Sequence, residues 1–464
     1  MYQSFRPLKI VIVGGVAAGL SAAMRARRNN PQSEITVIQK EEHISYAACG
    51  LPYFIGGQIP AIEDLIVRQK DEIEAQNIRV LSAHEALSFN GIKKRVVVKE
   101  LNRQKTFELS YDRLIIASGA RPRRLDIPGV GLDGIFYLRS LNDGMAIDAY
   151  IREQHPRKAL ILGSGFIGLE MAEALSLRGL EITLVESAAQ VLPVVHPAIA
   201  EKLMAGLLAR GCRFMINNSV LQFNGEKRLK QVVFKNGGSE DFDLVLIAAG
   251  VEPNTSFAQS GGVRLGAGGA IAVNDKMETN LQGVYAAGDC CQVRHRVSNR
   301  YTWIPLGTTA NKQGRVAGDN ASGRYARFKG VTGTMAVKVF DMQIALSGLT
   351  GKDLEKVPGG WEQVVVKQGS RAHYYPGGAE ISVVMTWARR DGRLLAVQMI
   401  GEEGVAKRID VAALALQQKM TVRELAEADL SYAPPFAPVN DPLMIAARRS
   451  VKMLEKSDSR PRLG

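Results

Sequence analysis

Two stretches of this chain share one layout. Near the start, KIVIV from Lys9 reads as a buried strand, followed by the glycine turn GGVAAG, an alanine-rich helical pattern through Arg28 and a second strand, EITVIQ, ending near Gln39. From Ala159 the pattern recurs as strand ALILG, turn GSGFIG, helix LEMAEALSLRG and strand EITLVES. An apolar run, a turn whose glycines let backbone approach a phosphate, and a helix whose first N–H groups face that turn make up a dinucleotide-binding β-α-β unit. The copies begin about 150 residues apart, so two such folds are expected in tandem.

The second turn has the complete fingerprint. Gly163, Gly165 and Gly168 frame Phe166 and Ile167, and Glu186 ends the next strand. A carboxylate there accepts from a ribose 2′-hydroxyl and repels a 2′-phosphate, so NADH is expected over NADPH. Glu170, just inside the helix, reads as an N-terminal charge favoured by the helix dipole or as a group that seats the nicotinamide. The first turn supplies Gly14, Gly15, Ala18 and Gly19, but Val16 takes the middle glycine's place. Gln39, with Lys40 after it, stands where an acid usually holds the ribose; its amide oxygen can still accept a hydrogen bond. Three later apolar strands end in small residues that would bring backbone close to a ligand: YDRLIIASGARP with Ser118 and Gly119, DFDLVLIAAGVEPN with Gly250, and GVYAAGDC with Gly288 and Asp289.

At 464 residues, with 46% apolar and 23% charged side chains, the chain is long enough for about three ordinary globular domains. The net charge of +13 is spread along the sequence, which favours a general field for phosphate-bearing ligands over a nucleic-acid footprint. No apolar run is long enough to span a bilayer and the start leads directly into a strand, so a cytoplasmic protein is expected, without a membrane or nucleic-acid partner. Six scattered histidines and four cysteines, with no CxxC or HExxH, give no expectation of a metal.

Cys49 sits in HISYAACGLPY, and no further cysteine follows until Cys212, so a neighbouring dithiol partner is absent. A lone cysteine is most often a small buried hydrophobe. The motifs SYAACGLPY, ASGARP, GSGFIGLE, GVYAAGDC, WIPLGTTANKQGRVAG, VKVFD, HYYPGG and DLSYAPPFAPVNDP nevertheless occur together and in order. In these the chain resembles the single-cysteine FAD-dependent pyridine nucleotide-disulfide oxidoreductases, above all the coenzyme A-disulfide reductases and NADH-dependent persulfide reductases.

The resemblance implies an α/β chain with two Rossmann-like domains and a C-terminal α+β dimerisation domain. An FAD-binding domain would comprise residues 1–120 and 253–327, an NAD(H)-binding domain 121–252 and a dimerisation domain 328–455, with a flexible tail at 456–464. It implies FAD and NADH as cofactors, with Ser45, Pro305 and Leu306 added to the cofactor set. The expected partner is a second copy of the chain sharing its active sites. Cys49 would form a mixed disulfide or persulfide with the substrate, and beside an oxidised flavin its pKa is expected to be depressed. Tyr375, or alternatively Tyr374, and Tyr432 from the opposing subunit would support thiolate release. Ser21, Arg25, Arg28, Ser45, Ala48 and Asn311 would meet the substrate.

Ala48, Gln76, Asn311 and Asn440 depart from the residues of coenzyme A-specific members, so a coenzyme A disulfide or persulfide and a smaller disulfide or polysulfide all stay open. Peroxidase and oxidase relatives carry a histidine in the first glycine turn, where this chain has Ala17 and Ala18. An oxidase or peroxidase using a Cys49 sulfenic acid, or a non-enzymatic redox sensor, are the alternatives. Adjacent Cys290 and Cys291 read as packing residues, because a vicinal disulfide strains the peptide between them.

Overall fold

A computed structural model describes residues 6–458. Most of the tail expected at 456–464 lies outside the described residues. The two β-α-β units form as two parallel five-stranded sheets of like topology. The first has the strand order 284–286, 113–116, 9–13, 34–38, 78–81; the second has 135–136, 244–247, 158–162, 181–186, 213–216. Their central pairs even begin alike, Lys9 opposite Glu34 and Lys158 opposite Glu181. Ile10, Ile12, Leu160 and Ile161 are fully buried, as expected of parallel strands covered on both faces.

The glycines account for the turns. Gly14 and Gly163 both have φ +106°. A Cβ on Gly14 would lie 2.1 Å from the Ala117 oxygen, and one on Gly163 2.6 Å from that of Ala248. Gly19 and Gly168 press helices α1 (Ala17–Asn29) and α2 (Phe166–Leu177) onto their turns, where a Cβ would meet the carbonyls of Gly14 and Gly163 at 1.8 and 2.1 Å. Gly14→Ala combines a left-handed backbone with a backbone clash, and is expected to cost about 3 kcal/mol or more of stability. Denaturant unfolding beside Gly57→Ala, which shares the positive φ but meets no atom, separates the clash from the strain.

The second unit is inserted in the first. The chain leaves the first sheet after Ile116 and returns to it at Val284. The two crossing segments pair antiparallel, Ala120–Pro122 with Val251–Pro253. Helix α3 (Gly307–Ala321) then packs on α1, and glycines permit the contact: a Cβ on Gly314 or Gly318 would meet the backbone of Ala18 or Ala22 at 2.2 and 2.4 Å. Two three-stranded antiparallel sheets, 84–110 and 220–241, flank the parallel ones.

The C-terminal part is a five-stranded antiparallel sheet in the order 335–339, 342–348, 394–401, 380–388, 361–369, covered by helices Val405–Gln417 and Pro442–Asp458. It is fastened to the second unit. Glu173 takes Lys338 Nζ at 2.8 Å and the Phe340 N–H at 2.7 Å, Lys202 pairs with Glu380 at 3.0 Å, and Arg210 pairs with Asp341. Among the described residues no helix is long and apolar enough to cross a membrane.

Candidate functional site

A cavity of about 1540 Å³ runs between the two parallel-sheet units and the C-terminal sheet. Its lining comes from the first glycine turn and α1, the segment around Cys49, the start of α2, the crossing near Gly250, Asp289, and the segment 302–311 leading into α3. Fifteen of the expected site residues line this cavity: Ser21, Arg25, Arg28, Ser45, Ala48, Cys49, Gly165, Phe166, Ile167, Glu170, Gly250, Asp289, Pro305, Leu306 and Asn311, with Ala18 one residue behind the lining Ala17. Gly14, Gly15, Gly19, Gly163, Gly168, Ser118, Gly119 and Gly288 are not among the lining residues. Gly288, at φ +89°, approaches α1 so closely that a Cβ would lie 2.8 Å from the Ala18 Cβ, and its N–H donates to Gln313 Oε1 at 2.9 Å. Ser118 is engaged with the backbone, donating to the Asn254 oxygen at 2.6 Å beside Gly119 at φ +69°.

The two units use their strand-end residues in the same way. Gly15 N–H donates to Gln39 Oε1 at 2.7 Å, and Ser164 N–H donates to Glu186 Oε2 at 3.0 Å. Glu186 also accepts from Ser164 Oγ (2.8 Å), Ser187 Oγ (3.2 Å) and the Ala188 N–H (2.9 Å), and these donors hold its carboxyl below the usual range despite the opposing effect of burial. Both side chains brace the turn that they face. Gln39 Nε2 reaches Glu41 Oε2 at 3.4 Å, and Tyr46 donates to the same oxygen at 2.8 Å. Burial raises the Glu41 carboxyl first, with Tyr46 opposing. The acid missing at position 39 thus stands two residues on, which sequence reasoning overlooked. Lys40 pairs outward with Glu85 at 2.7 Å.

Gly165 identifies the ligand side of the second turn. Unlike Gly163 and Gly168, a Cβ there meets nothing in the protein, so the glycine answers no internal constraint. The start of α2 carries no side-chain cap, which leaves its first N–H groups available to an anionic group. The first turn offers the same cradle, with Val16 and Ala17 in the cavity wall and no side chain capping α1.

Cys49 lies in a short turn, Ala48–Gly50, that runs straight into the helix Leu51–Ile55. Ser45 sets its position. It is held at φ +58°, its N–H donates to the Gly15 oxygen at 2.9 Å, and its carbonyl takes the Val67 N–H at 2.7 Å, tying this segment to the first glycine turn. Cys49 is exposed to the cavity, whereas Cys212, Cys290 and Cys291 are buried. The expected depression of its pKa is not a property of the polypeptide. Burial first and then the Glu170 carboxylate push the thiol up, with Arg139 opposing them.

Arg139 was not foreseen. It lines the cavity, donates to the Ala120 oxygen at 3.0 Å and pairs with Asp289 at 3.0 Å, although the two are 150 residues apart. Trp303 Nε1 donates to the Asp289 carbonyl at 2.7 Å. On the α1 side, Ser21 Oγ donates to Asn311 Oδ1 at 2.6 Å, and Arg25 is paired with Asp319 at 2.6 Å. Arg28 lines the cavity without a hydrogen-bond or ionic partner among the described residues, as do Arg68 and Arg315, which sequence reasoning also overlooked.

The tyrosines stand apart from this cavity. Tyr374 and Tyr432 share a 2.9 Å hydrogen bond between their hydroxyls, both on the surface. Tyr375 instead lies under Arg371, 5.8 Å from ring centre to guanidinium. The two adjacent cysteines are free, with sulfurs 3.6 Å apart, and their backbones are pinned by the Ile271 N–H to Cys290 and the Cys291 N–H to Gly288 bonds.

Residues 8–314 match the family model of the pyridine nucleotide-disulphide oxidoreductases, and residues 334–442 match that of their dimerisation domain. The chain belongs to this family and is an NAD(P)H-dependent flavoprotein oxidoreductase. It is 37% identical over 456 residues to a Methanocaldococcus jannaschii protein named NADH oxidase, covering 96% of this chain and 99% of that one. It is 36% identical over 442 residues to the NAD(P)H coenzyme A polysulfide/persulfide reductase of Pyrococcus horikoshii, covering 95% and 98%. With the coenzyme A disulfide reductase of Staphylococcus haemolyticus it shares 34% over 435 residues, covering 93% and 97%. The solved structure of reduced Bacillus anthracis CoADR-RHD superposes with a TM-score of 0.94 at 35% identity, covering 97% of this chain and 81% of that one. FAD and a nicotinamide nucleotide are the cofactors that this family implies.

Proposed function

We propose that this enzyme uses NADH to reduce a low-molecular-weight disulfide, persulfide or polysulfide, with a coenzyme A disulfide or persulfide as the leading substrate, through a mixed disulfide at Cys49. The observation that carries the reading is that Cys49 is the one described cysteine open to the cavity, while the other three are buried. FAD, when bound, carries a hydride equivalent from the nicotinamide to the sulfur centre. The Cys49 thiolate attacks one sulfur of the substrate, the substrate S–S bond breaks, and the first thiolate leaves with a proton from solvent. Two electrons from NADH then cleave the bond at Cys49, releasing the second thiol and restoring the thiolate. No neighbouring thiol is available to resolve the mixed disulfide, so each turnover ends on the substrate's own sulfur.

The set Gly14, Gly15, Ala18, Gly19, Ser45, Ser118, Gly119, Gly288, Asp289, Pro305 and Leu306 is assigned to FAD, with Gly163, Gly165, Phe166, Ile167, Gly168, Glu170 and Gly250 assigned to NADH. Glu186 favours NADH through its charge, since its oxygens are taken up by the turn. In a homodimer, Tyr374 and Tyr432 of the partner subunit would support thiolate release; the hydroxyl pairing favours Tyr374 over Tyr375 in that role. A coenzyme A moiety carries phosphates, and Arg28, Arg68 and Arg315, unpaired among the described residues, are suited to them.

An anaerobic panel of coenzyme A disulfide, coenzyme A persulfide, glutathione disulfide and polysulfide, each with NADH and NADPH, tests the assignment. A coenzyme A acceptor with NADH should give the highest kcat/KM, and NADPH should fall below NADH by tenfold or more. The oxidase reading draws on the Methanocaldococcus relative's name. Ala17 and Ala18 supply no acid or base at the first turn, and fast NADH consumption with oxygen as sole acceptor would nonetheless establish that reading in place of this one.

A further inference from the structure

The two segments that carry the tyrosines, 370–379 and 430–441, contain no helix or strand. Tyr374 and Tyr432 are 64% and 44% exposed, so packing does not fix them. Their place is set by hydrogen bonds. Within the first segment the Ser370 N–H donates to the Ala379 oxygen at 2.8 Å and the Ala379 N–H returns to Ser370 Oγ at 2.9 Å, while Arg371 grips Glu403 through Nε at 2.7 Å and Nη2 at 2.5 Å. Between the segments the Ala372 N–H reaches the Pro434 oxygen at 3.3 Å, and the Tyr374 and Tyr432 hydroxyls meet at 2.9 Å. Both segments also meet Arg408, on the helix Val405–Gln417, which is 8% exposed and paired at 2.7 Å with the similarly buried Asp441. Its Nη2 donates to the Ser370 oxygen at 3.0 Å and to the Phe436 oxygen at 3.3 Å, one from each segment, and its Nη1 donates to the Gly404 oxygen at 3.1 Å. The other oxygen of Asp441 takes the Leu443 N–H at 2.9 Å, at the start of the helix Pro442–Asp458. Gly404 makes room for the guanidinium: at φ +72°, a Cβ there would lie 2.2 Å from Arg408 Nη1.

We infer that Arg408 is the positioning residue of the tyrosine pair: one guanidinium joins the two segments, so that both hydroxyls are presented together. A planar fork of N–H donors satisfies a carboxylate and three carbonyls at once, which a lysine ammonium on a single point cannot do. A charge so deeply buried is costly unless fully paired, and these four bonds meet that condition. The contact between the hydroxyls depends on them. A shift of about 1 Å in either segment would part Tyr374 from Tyr432 beyond hydrogen-bonding reach. Arg408 is not among the residues lining the cavity, so its effect on turnover passes through the tyrosines.

This inference rests on the assignment of the tyrosine pair to thiolate release, and the test distinguishes the two. In Arg408→Lys holoenzyme, hydrogen exchange read by mass spectrometry should rise about tenfold in both segments together and stay at wild-type rates in the parallel sheets. With the preferred acceptor of the panel above, kcat should fall about tenfold at an unchanged KM, while anaerobic reduction of the flavin by NADH keeps its wild-type rate. Tyr374→Phe combined with Tyr432→Phe should cut kcat about a hundredfold, and adding Arg408→Lys to that pair should cost nothing further, because its effect passes through hydroxyls already removed. Wild-type exchange in both segments, or a rise in one alone, overturns the inference, and so does a loss that multiplies with that of the phenylalanine pair. Wild-type turnover in the phenylalanine pair instead overturns the role of the tyrosines. Should the lysine variant fail to fold, Gly404→Ala displaces the guanidinium while keeping the arginine, and is held to the same joint rise in exchange.

Discussion

Cys49→Ser is expected to cut turnover with every disulfide, persulfide or polysulfide acceptor by about a thousandfold or more while FAD stays bound at its wild-type content. The reason is chemical. A serine oxygen cannot form the S–S bond on which the proposed cycle depends, and its alkoxide is inaccessible near neutrality. Cys212 and Cys290, both nearly inaccessible, cannot deputise from inside the core. The substitution should leave the architecture alone, because among the described residues the Cys49 sulfur has no hydrogen bond to another residue's side chain and the positioning of its segment rests on Ser45 and on buried Leu51. Anaerobic reduction by NADH should therefore still bleach the flavin of the variant at a rate close to wild type. Retained thiol-reductase activity would remove Cys49 from the mechanism. Loss of FAD binding would instead assign the cysteine a structural role.

That separation between a reactive thiol and a pre-built nucleotide scaffold is also what made parts of the molecule readable from sequence. A parallel strand buried on both faces appears as an unbroken apolar run, and Gly14, Gly19, Gly163 and Gly168 stand where the chain's own carbonyls leave no room for a Cβ. Both features are local, so both units are legible. The strands 84–110 and 220–241 are not, because they are only partly covered and break up their apolar residues with polar ones, as in HEALSFN and VLQFN. Strand Met342–Gly348 is hidden for another reason. The turn before it contains neither glycine nor proline, and Phe340 itself takes the left-handed conformation at φ +52°.

The site divides along the same line. Asp289 could be singled out from GVYAAGDC, but its Arg139 partner joins it only through the insertion of one unit in the other. Arg25 and Arg28 look equivalent along α1, yet the packing of α3 commits Arg25 to Asp319 and leaves Arg28 facing the cavity. Arg315 projects from α3 into the same wall, and Arg68 arrives from the segment after Cys49. The thiol's upward shift was equally out of reach, since it follows first from burial between packed units and then from Glu170, which belongs to the other nucleotide unit.

Those arginines carry the second large expected effect. Changing Arg28, Arg68 and Arg315 together to glutamine should raise KM for coenzyme A disulfide a few hundredfold and leave kcat within a few-fold, while KM for polysulfide stays near wild type. Each charged hydrogen bond to a phosphate is worth about 1–1.5 kcal/mol when its guanidinium has no competing carboxylate, so three together come to about 3–4 kcal/mol. None of the three has such a competitor among the described residues, whereas Arg25 would first have to leave Asp319. Glutamine keeps most of the aliphatic stem that packs along the wall, so a rise in KM reports charge and not lost burial. Raised salt should weaken coenzyme A disulfide binding in the wild type and much less in the triple variant, because screening acts on the charges that the variant lacks. A KM for coenzyme A disulfide unmoved by the triple change would exclude these arginines from phosphate recognition and shift the substrate assignment to small, uncharged sulfur compounds and polysulfide.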